Sequence, residues 1–200
     1  MKEVVVSMTT MDAKTQYNGI ILLTSYLQRI FVAETIYLKC SQHHSAARFE
    51  LSQSLLDEVH TIVPVFEETK SLDEVQIQQL QVITNKTIDL MHGYFKLLPQ
   101  NFIDKLALVG SSLYGEQLMN SGILRLGELF GIDVNKDFRM RVKFYEDRTK
   151  VIDVIVQQIS DGKHLDEAVV KPIETWYNDI LRQKEHVLND MDQIAQMIGF

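Results

Sequence analysis

The stretch from Asn18 to Cys40 constrains the fold more than any other part of the sequence. It reads NGIILLTSYLQRIFVAETIYLKC, with apolar residues at helical spacing on nearly every side of the expected helix. A helix that is apolar nearly all round belongs in the middle of a protein or in a membrane. Arg29 and Glu34 lie near the centre of the stretch, where a membrane disfavours charge. We therefore expect a buried core helix of a soluble protein and no membrane span.

The rest of the chain follows the same helical period, and strand-type alternation is missing. Three prolines and nine glycines in 200 residues leave few breaks between the periodic segments. The sequence therefore predicts an all-α helical bundle of about six to seven helices, with long antiparallel helices and a long C-terminal helix. We expect a flexible N-terminal arm over residues 1–10 and a single helical domain over 11–200. Residues 136–198 suit a C-terminal helical hairpin.

Local signals mark several helix boundaries. Asp12 suits the N-cap of the first helix, and Ser71 with Glu74 has the spacing of a capping box that would begin the third. Pro64 predicts a kink or an early end of the second helix near residue 63. A break near residues 120–122 would divide the next segment into helices over 101–119 and 121–131. The final helix is expected from about residue 165 to 198.

Five of the nine glycines fall between residues 101 and 132. Each interior glycine costs a helix about 0.5–1 kcal/mol relative to alanine. Such small residues either let neighbouring backbones approach closely or mark a bent, mobile segment, and the sequence leaves both readings open. The five are Gly110, Gly115, Gly122, Gly127 and Gly131.

Composition narrows the function and the location. The formal net charge of −7 argues against general nucleic-acid binding, which draws on a surplus of Lys and Arg. Cys40 is the only cysteine, so no intramolecular disulfide can form, and a cytoplasmic location is the simplest expectation. The N-terminal sequence MKEVVVSM has too short an apolar run for a signal peptide.

Two Asp-x-x-His pairs, Asp57/His60 and Asp89/His92, have the spacing of helical metal ligands. On helical wheels both aspartates lie away from the apolar faces, which favours solvated charge over metal binding. Nucleophile-elbow, phosphate-loop and dinucleotide-binding motifs are missing from the sequence. We therefore expect no catalytic residue, metal or cofactor, and the sequence assigns no role to His60, His92 or Cys40.

Glu34 falls in the middle of an apolar helix face. A lone buried carboxylate is costly unless it is paired or protonated. A structural ion pair with an arginine such as Arg48 or Arg125 is favoured over an acid/base or ligand-anchoring role. No second inward-facing carboxylate or histidine can be assigned to complete an acid/base pair.

The only basic concentration lies between residues 136 and 150, where four side chains share one helix face: Lys136, Arg139, Lys143 and Lys150. Spacings of four residues permit Lys143–Asp147 and Glu146–Lys150 pairs, so the patch is partly self-neutralised. A solvated helix face is favoured over an RNA or phosphate site. If the patch binds anything, an acidic protein surface fits best.

The sequence favours a non-enzymatic protein that acts through protein–protein contacts, as an adaptor, scaffold, regulator or inhibitor, and that forms homo-oligomers. The expected interface lies along the C-terminal segment, since aromatic residues and Met are enriched in interface cores. It comprises Trp176, Ile180, Val187, Met191, Ile194 and Phe200. The alternative is a ligand-binding or sensory bundle, or an enzyme, with a pocket around Glu34 and the glycine-rich stretch 110–131.

Overall fold

The computed structural model describes residues 12–40, 45–95, 99–134, 136–183, 194 and 196–197. The described chain forms a bundle of six α-helices, which confirms the all-α prediction. They are α1 (Ala13–Cys40), α2 (Ala46–Thr69), α3 (Glu74–Phe95), α4 (Phe102–Phe130), α5 (Lys136–Ser160) and α6 (Glu167–Gln183). The predicted N-terminal arm over residues 1–10 lies outside the described residues.

Helices α1 and α4 form the central pair of the bundle. They have 28 and 29 residues, so each is about 42–44 Å long at 1.5 Å per residue. Ser25 near the middle of α1 donates to the carbonyl oxygen of Gly115 at 2.9 Å, and Tyr37 near its end reaches Asp104 near the start of α4 at 3.2 Å. Later residues of α1 therefore meet earlier residues of α4, and the two helices are antiparallel.

The glycines of α4 lie where side chains of α1 press against it. A Cβ atom placed on Gly110 would lie 2.6 Å from Cδ1 of Ile36, and one on Gly122 would lie 2.6 Å from Cγ2 of Ile21. At Gly115 the same atom would overlap the side chain of Arg29. These glycines therefore permit close helix approach, which decides between the two readings that the sequence left open.

The remaining helices pack against the central pair in two hydrophobic clusters. Helices α2 and α3 join the N-terminal half of α1 in a first hydrophobic cluster, which includes Leu23, Leu55, Phe66 and Ile83. Helices α5 and α6 join the C-terminal half of α1 and the N-terminal half of α4 in a second cluster. That cluster includes Ile36, Leu106, Ile152 and Ile173. Helix α1 takes part in both clusters.

Helix α1 is long and apolar enough to cross a membrane by length and composition. In the bundle, 72% of its most apolar 18-residue window is buried against the rest of the chain. The two charges that interrupt it are both paired. Arg29 contacts Glu116 at 2.7 Å, and Glu34 contacts Arg48 at 2.8 Å.

Capping accounts for two helix starts. Asp12 caps α1 as predicted, because its Oδ1 accepts from the backbone N–H groups of residues 14 and 15. The predicted capping box at Ser71 and Glu74 is wrong by two residues. Asp73 and Gln76 instead exchange side-chain to backbone hydrogen bonds of 2.8 and 3.0 Å at the start of α3.

Packing prevents a predicted early end of α2 and a predicted break in α4. Helix α2 continues past Pro64 to Thr69, because Ile62 and Phe66 on either side are buried in the first cluster while Pro64 itself is exposed. The break at residues 120–122 is also wrong. Helix α4 is continuous there, with Asn120 bonded to the carbonyl oxygen of Glu116 at 2.7 Å.

The predicted long C-terminal helix is not confirmed. Helix α6 spans 17 residues and ends at Gln183, and residues 184–193 lie outside the described residues. Helix α5 ends at Ser160, and Gly162 just beyond it has the left-handed conformation at φ 70°.

We predict that Gly122→Ala lowers the free energy of unfolding by about 1–3 kcal/mol, because the added methyl group overlaps the branched side chain of Ile21. This loss exceeds the roughly 1 kcal/mol that alanine gains in helix propensity. Urea denaturation measures the change. The neighbouring control, Ser121→Ala at an exposed position, should shift it by less than about 0.5 kcal/mol. An unchanged or more stable Gly122 variant would contradict close packing at this position.

Candidate functional site

Helix α5 is buried only over its C-terminal half. There Thr149, Ile152, Ile155 and Val156 face inward, and the three aliphatic side chains join the second cluster. Before Thr149 the described side chains of this helix are exposed or partly exposed. Ion pairs four residues apart on the solvent side support this part of the helix.

An unexpected row of apolar side chains runs along the exposed side of α5. The four residues lie within about 80° of one another around the helix axis, at 100° per residue. We call them the α5 apolar stripe: Met140 (56% exposed), Phe144 (47%), Val151 (38%) and Val154 (57%). The sequence prediction missed this face because Asp147 interrupts it. Exposed apolar rows of this kind are typical of interaction surfaces.

Arg148 forms one border of the stripe. Its guanidinium carbon lies 3.3 Å from the ring centroid of Phe144 and 5.2 Å from that of Trp176 on α6. Partial burial between the rings lowers the pKa of Arg148, which stays cationic at neutral pH. The contact holds the Phe144 ring against α5 and joins α5 to α6 through a cation–π stack.

The predicted basic patch borders the other side of the stripe, and all four of its side chains are exposed. Lys143 pairs with Asp147 at 2.7 Å, and Lys150 pairs with Glu146 at 2.7 Å, so both predicted ion pairs are confirmed. The hydrogen bond to Asp147 raises the pKa of Lys143. Within the described part of the chain, Lys136 and Arg139 form no ion pair.

A second surface feature, an acidic groove, lies on α2 and α3. The outward face of α2 forms most of it, and Gln79 of α3 completes it. Its charged side chains are Glu50, Asp57 and Glu58, and we call this feature the acidic groove. No cation lines the groove among the described residues. The sequence did not predict it, because the groove depends on how α2 and α3 pack together.

Glu34 is fully buried, and its partner is one of the two arginines that the sequence proposed. Oε1 lies 2.8 Å from Nε of Arg48, although the N–H does not point at this oxygen, so the contact is an ion pair and not an aligned hydrogen bond. Oε2 accepts from the backbone N–H of Ser45 at 3.4 Å. Glu34 therefore joins α1 to the first turn of α2 and has the surroundings of a structural residue.

Glu34 and the glycine-rich stretch have different neighbours among the described residues. Glu34 faces α2, whereas the glycines of α4 contact other side chains of α1. Arg125, the second proposed partner, instead contacts Glu67 at 2.8 Å, and Glu67 accepts from the hydroxyl of Tyr17 at 2.6 Å. The hydrogen bond from Arg125 is the main reason that the pKa of Glu67 is lowered.

The expected C-terminal interface is only partly described, and its described residues pack inside the bundle. Ile194 is fully buried in the first cluster, so it is a core residue and offers no surface to a partner. Trp176 and Ile180 are partly buried against the second cluster. Val187, Met191 and Phe200 lie outside the described residues. Ile194 is therefore covered by its own chain, and three residues further on Sδ of Met197 accepts from the side-chain amide of Asn18 on α1 at 3.5 Å.

The remaining candidate residues show no common site. Asp57, His60 and Asp89 are exposed, and the side chain of His92 lies outside the described residues. No group of three potential metal-binding side chains occurs in the part of the chain that the structure describes. Cys40 is partly buried, and this burial raises the pKa of its thiol.

Comparison with known proteins gives no relative: the sequence matches no protein-family model and no curated protein, and the fold matches no solved structure. Function must therefore be argued from the residues themselves.

We predict that removing Arg48 is more harmful than removing Glu34. Arg48→Met leaves a buried carboxylate without its cation and should lower the free energy of unfolding by about 3–5 kcal/mol. Glu34→Leu should be tolerated or mildly stabilising, because the 35% exposed side chain of Arg48 can turn to water.

Chemical denaturation of the two single variants and of the double variant Glu34→Leu/Arg48→Met measures this asymmetry. The double variant should recover most of the stability that Arg48→Met loses. A Glu34→Leu variant that is at least as unstable as Arg48→Met would show that Glu34 has a role beyond pairing. So would a Leu variant that folds normally but loses a binding or catalytic activity.

Proposed function

We propose that the protein is a non-enzymatic, cytoplasmic interaction protein, and that the α5 apolar stripe binds an acidic surface on a protein partner. The stripe carries this proposal, because four large apolar side chains between 38% and 57% exposed share one side of a helix. Lys136 and Arg139 stand at the N-terminal end of the stripe without an ion pair in the described chain. The surface therefore combines an apolar row with unneutralised positive charge.

The two kinds of side chain make different contributions to binding. An exposed ion pair contributes about 0–1 kcal/mol, whereas full burial of a Val, Met or Phe side chain contributes about 1.5–3 kcal/mol. The apolar stripe therefore supplies most of the affinity. The basic residues select an acidic partner and orient it during the encounter.

A protein partner suits this surface better than a nucleic acid. Phosphate binding needs a basic surface and gains little from aliphatic side chains, whereas this chain has a net charge of −7 and places Met140, Val151 and Val154 along the middle of the face. Arg148 contacts the rings of both Phe144 and Trp176, and these aromatic side chains give the surface the kind of residue that interface anchors use.

A synthetic peptide tests this function: an amphipathic helix with one apolar face and acidic flanks, made without tryptophan. Trp176 is the only tryptophan in the chain and lies 5.2 Å from Arg148, so its fluorescence reports on the border of the stripe. We expect saturable binding that weakens as salt screens the charges. Met140→Ser/Val154→Ser should weaken binding at least about tenfold, or roughly 1.4 kcal/mol.

The matched control is Val75→Ser/Val82→Ser, which removes two exposed apolar side chains from α3, 71% and 51% exposed. This variant should bind the peptide as the original protein does, and both variants should keep its melting temperature. Equal binding by all three proteins, or no binding by the original protein, would refute the α5 apolar stripe as an interaction surface.

A further inference from the structure

The charges of the chain are divided between two helices that belong to different hydrophobic clusters. Residues 136–150 of α5 contain six basic and three acidic residues, a net charge of +3. Helix α2 contains five acidic residues and one arginine, a net charge of −4. That arginine, Arg48, is engaged by the buried Glu34, so the outward face of α2 carries no arginine to offset its carboxylates.

Two exposed apolar side chains of α2 lie beside the acidic groove, whose own lining is polar. Leu51 and Val65 are exposed on α2 and flank Glu58 at spacings of seven residues, so the three lie along one side of the helix. Glu50 and Asp57 are exposed on the same outward face and form no ion pair among the described residues. One chain thus presents both a basic apolar surface and an acidic surface with apolar side chains.

We infer that the acidic partner is a second copy of this chain: the α5 apolar stripe of one copy docks on the acidic groove of the next. This inference rests on the proposed function and names its partner. The two surfaces differ, so the contact is heterologous, and each copy keeps one surface of each kind for further copies.

Charge favours this contact over direct pairing of two α5 helices. A parallel α5–α5 contact would bring together two segments that each carry +3, and like charges in contact oppose association. In a contact between α5 and the acidic groove, the net charge of +3 on residues 136–150 instead faces the carboxylates of Glu50, Asp57 and Glu58. The apolar side chains on both surfaces then leave water together.

A charge-swap experiment tests the inference with two variants of the full chain. Lys136→Glu/Arg139→Glu reverses the charge of two side chains near the N-terminus of α5. The helix dipole favours acidic residues there, so the fold should be kept. Glu50→Lys/Asp57→Lys reverses the charge of two exposed side chains in the acidic groove. Light scattering over a concentration series gives the mass of each protein against the 23.1 kDa of one chain.

The original protein should rise in mass with concentration and lose this association at high salt. Each variant alone should keep the mass of one chain, because its two surfaces then carry the same sign of charge. A mixture of the two variants should associate, since each surface meets a partner of opposite charge. The control Asp89→Lys/Asp133→Lys makes the same charge change at exposed positions outside the groove and should associate as the original protein does.

Three results would overturn the inference: an original protein with the mass of one chain throughout, a single variant that associates normally, or a mixture that does not associate. Binding of the α5 surface to RNA or to anionic lipid vesicles, with no self-association, would also overturn it. The proposed function is tested apart from these results. A chain that does not self-associate but binds the acidic peptide through the α5 apolar stripe keeps that function and loses only the second copy as its partner.

Discussion

The close antiparallel packing of α1 against α4 is the interaction on which the rest of the structure depends. Glycines at positions 110, 115 and 122 remove the side chains that would hold the two helices apart. Helix α1 can then be buried over most of its length and take part in both hydrophobic clusters. The outer helices pack around this central pair, and α5 is left with one side exposed.

This arrangement of a central helix pair and outer helices explains how one bundle presents two unlike surfaces. Inside the fold the charged side chains are paired: Glu34 with Arg48, and Arg29 with Glu116. On the outside, α2 keeps Glu50, Asp57 and Glu58 and α5 keeps Lys136 and Arg139 without ion pairs in the described chain. Buried pairs contribute little net stability because desolvation offsets their attraction. Their effect is to fix α1 against its neighbours, whereas the unpaired outer charges remain available for recognition.

The sequence predicted features that depend on one helix at a time, and it failed where packing between helices decides. The apolar period of α1 and the isolated carboxylate of Glu34 identified the core helix and a buried ion pair. Pro64 and Asn120 signalled breaks, but burial of neighbouring residues keeps both helices intact. The α5 apolar stripe was missed because α5 has apolar residues on two sides, and only the position of α4 determines which side is buried. The acidic groove likewise requires α2 and α3 together.

We propose that the α1–α4 core carries two outer surfaces that recognise each other. Amide hydrogen exchange at low and high protein concentration tests it most directly, because exchange slows where contacts form. The account predicts slower exchange at high concentration in residues 136–154 of α5 and 50–65 of α2, with α1 and α4 unchanged. Identical exchange at both concentrations, or slowing confined to α1, α4 or α6, would contradict it.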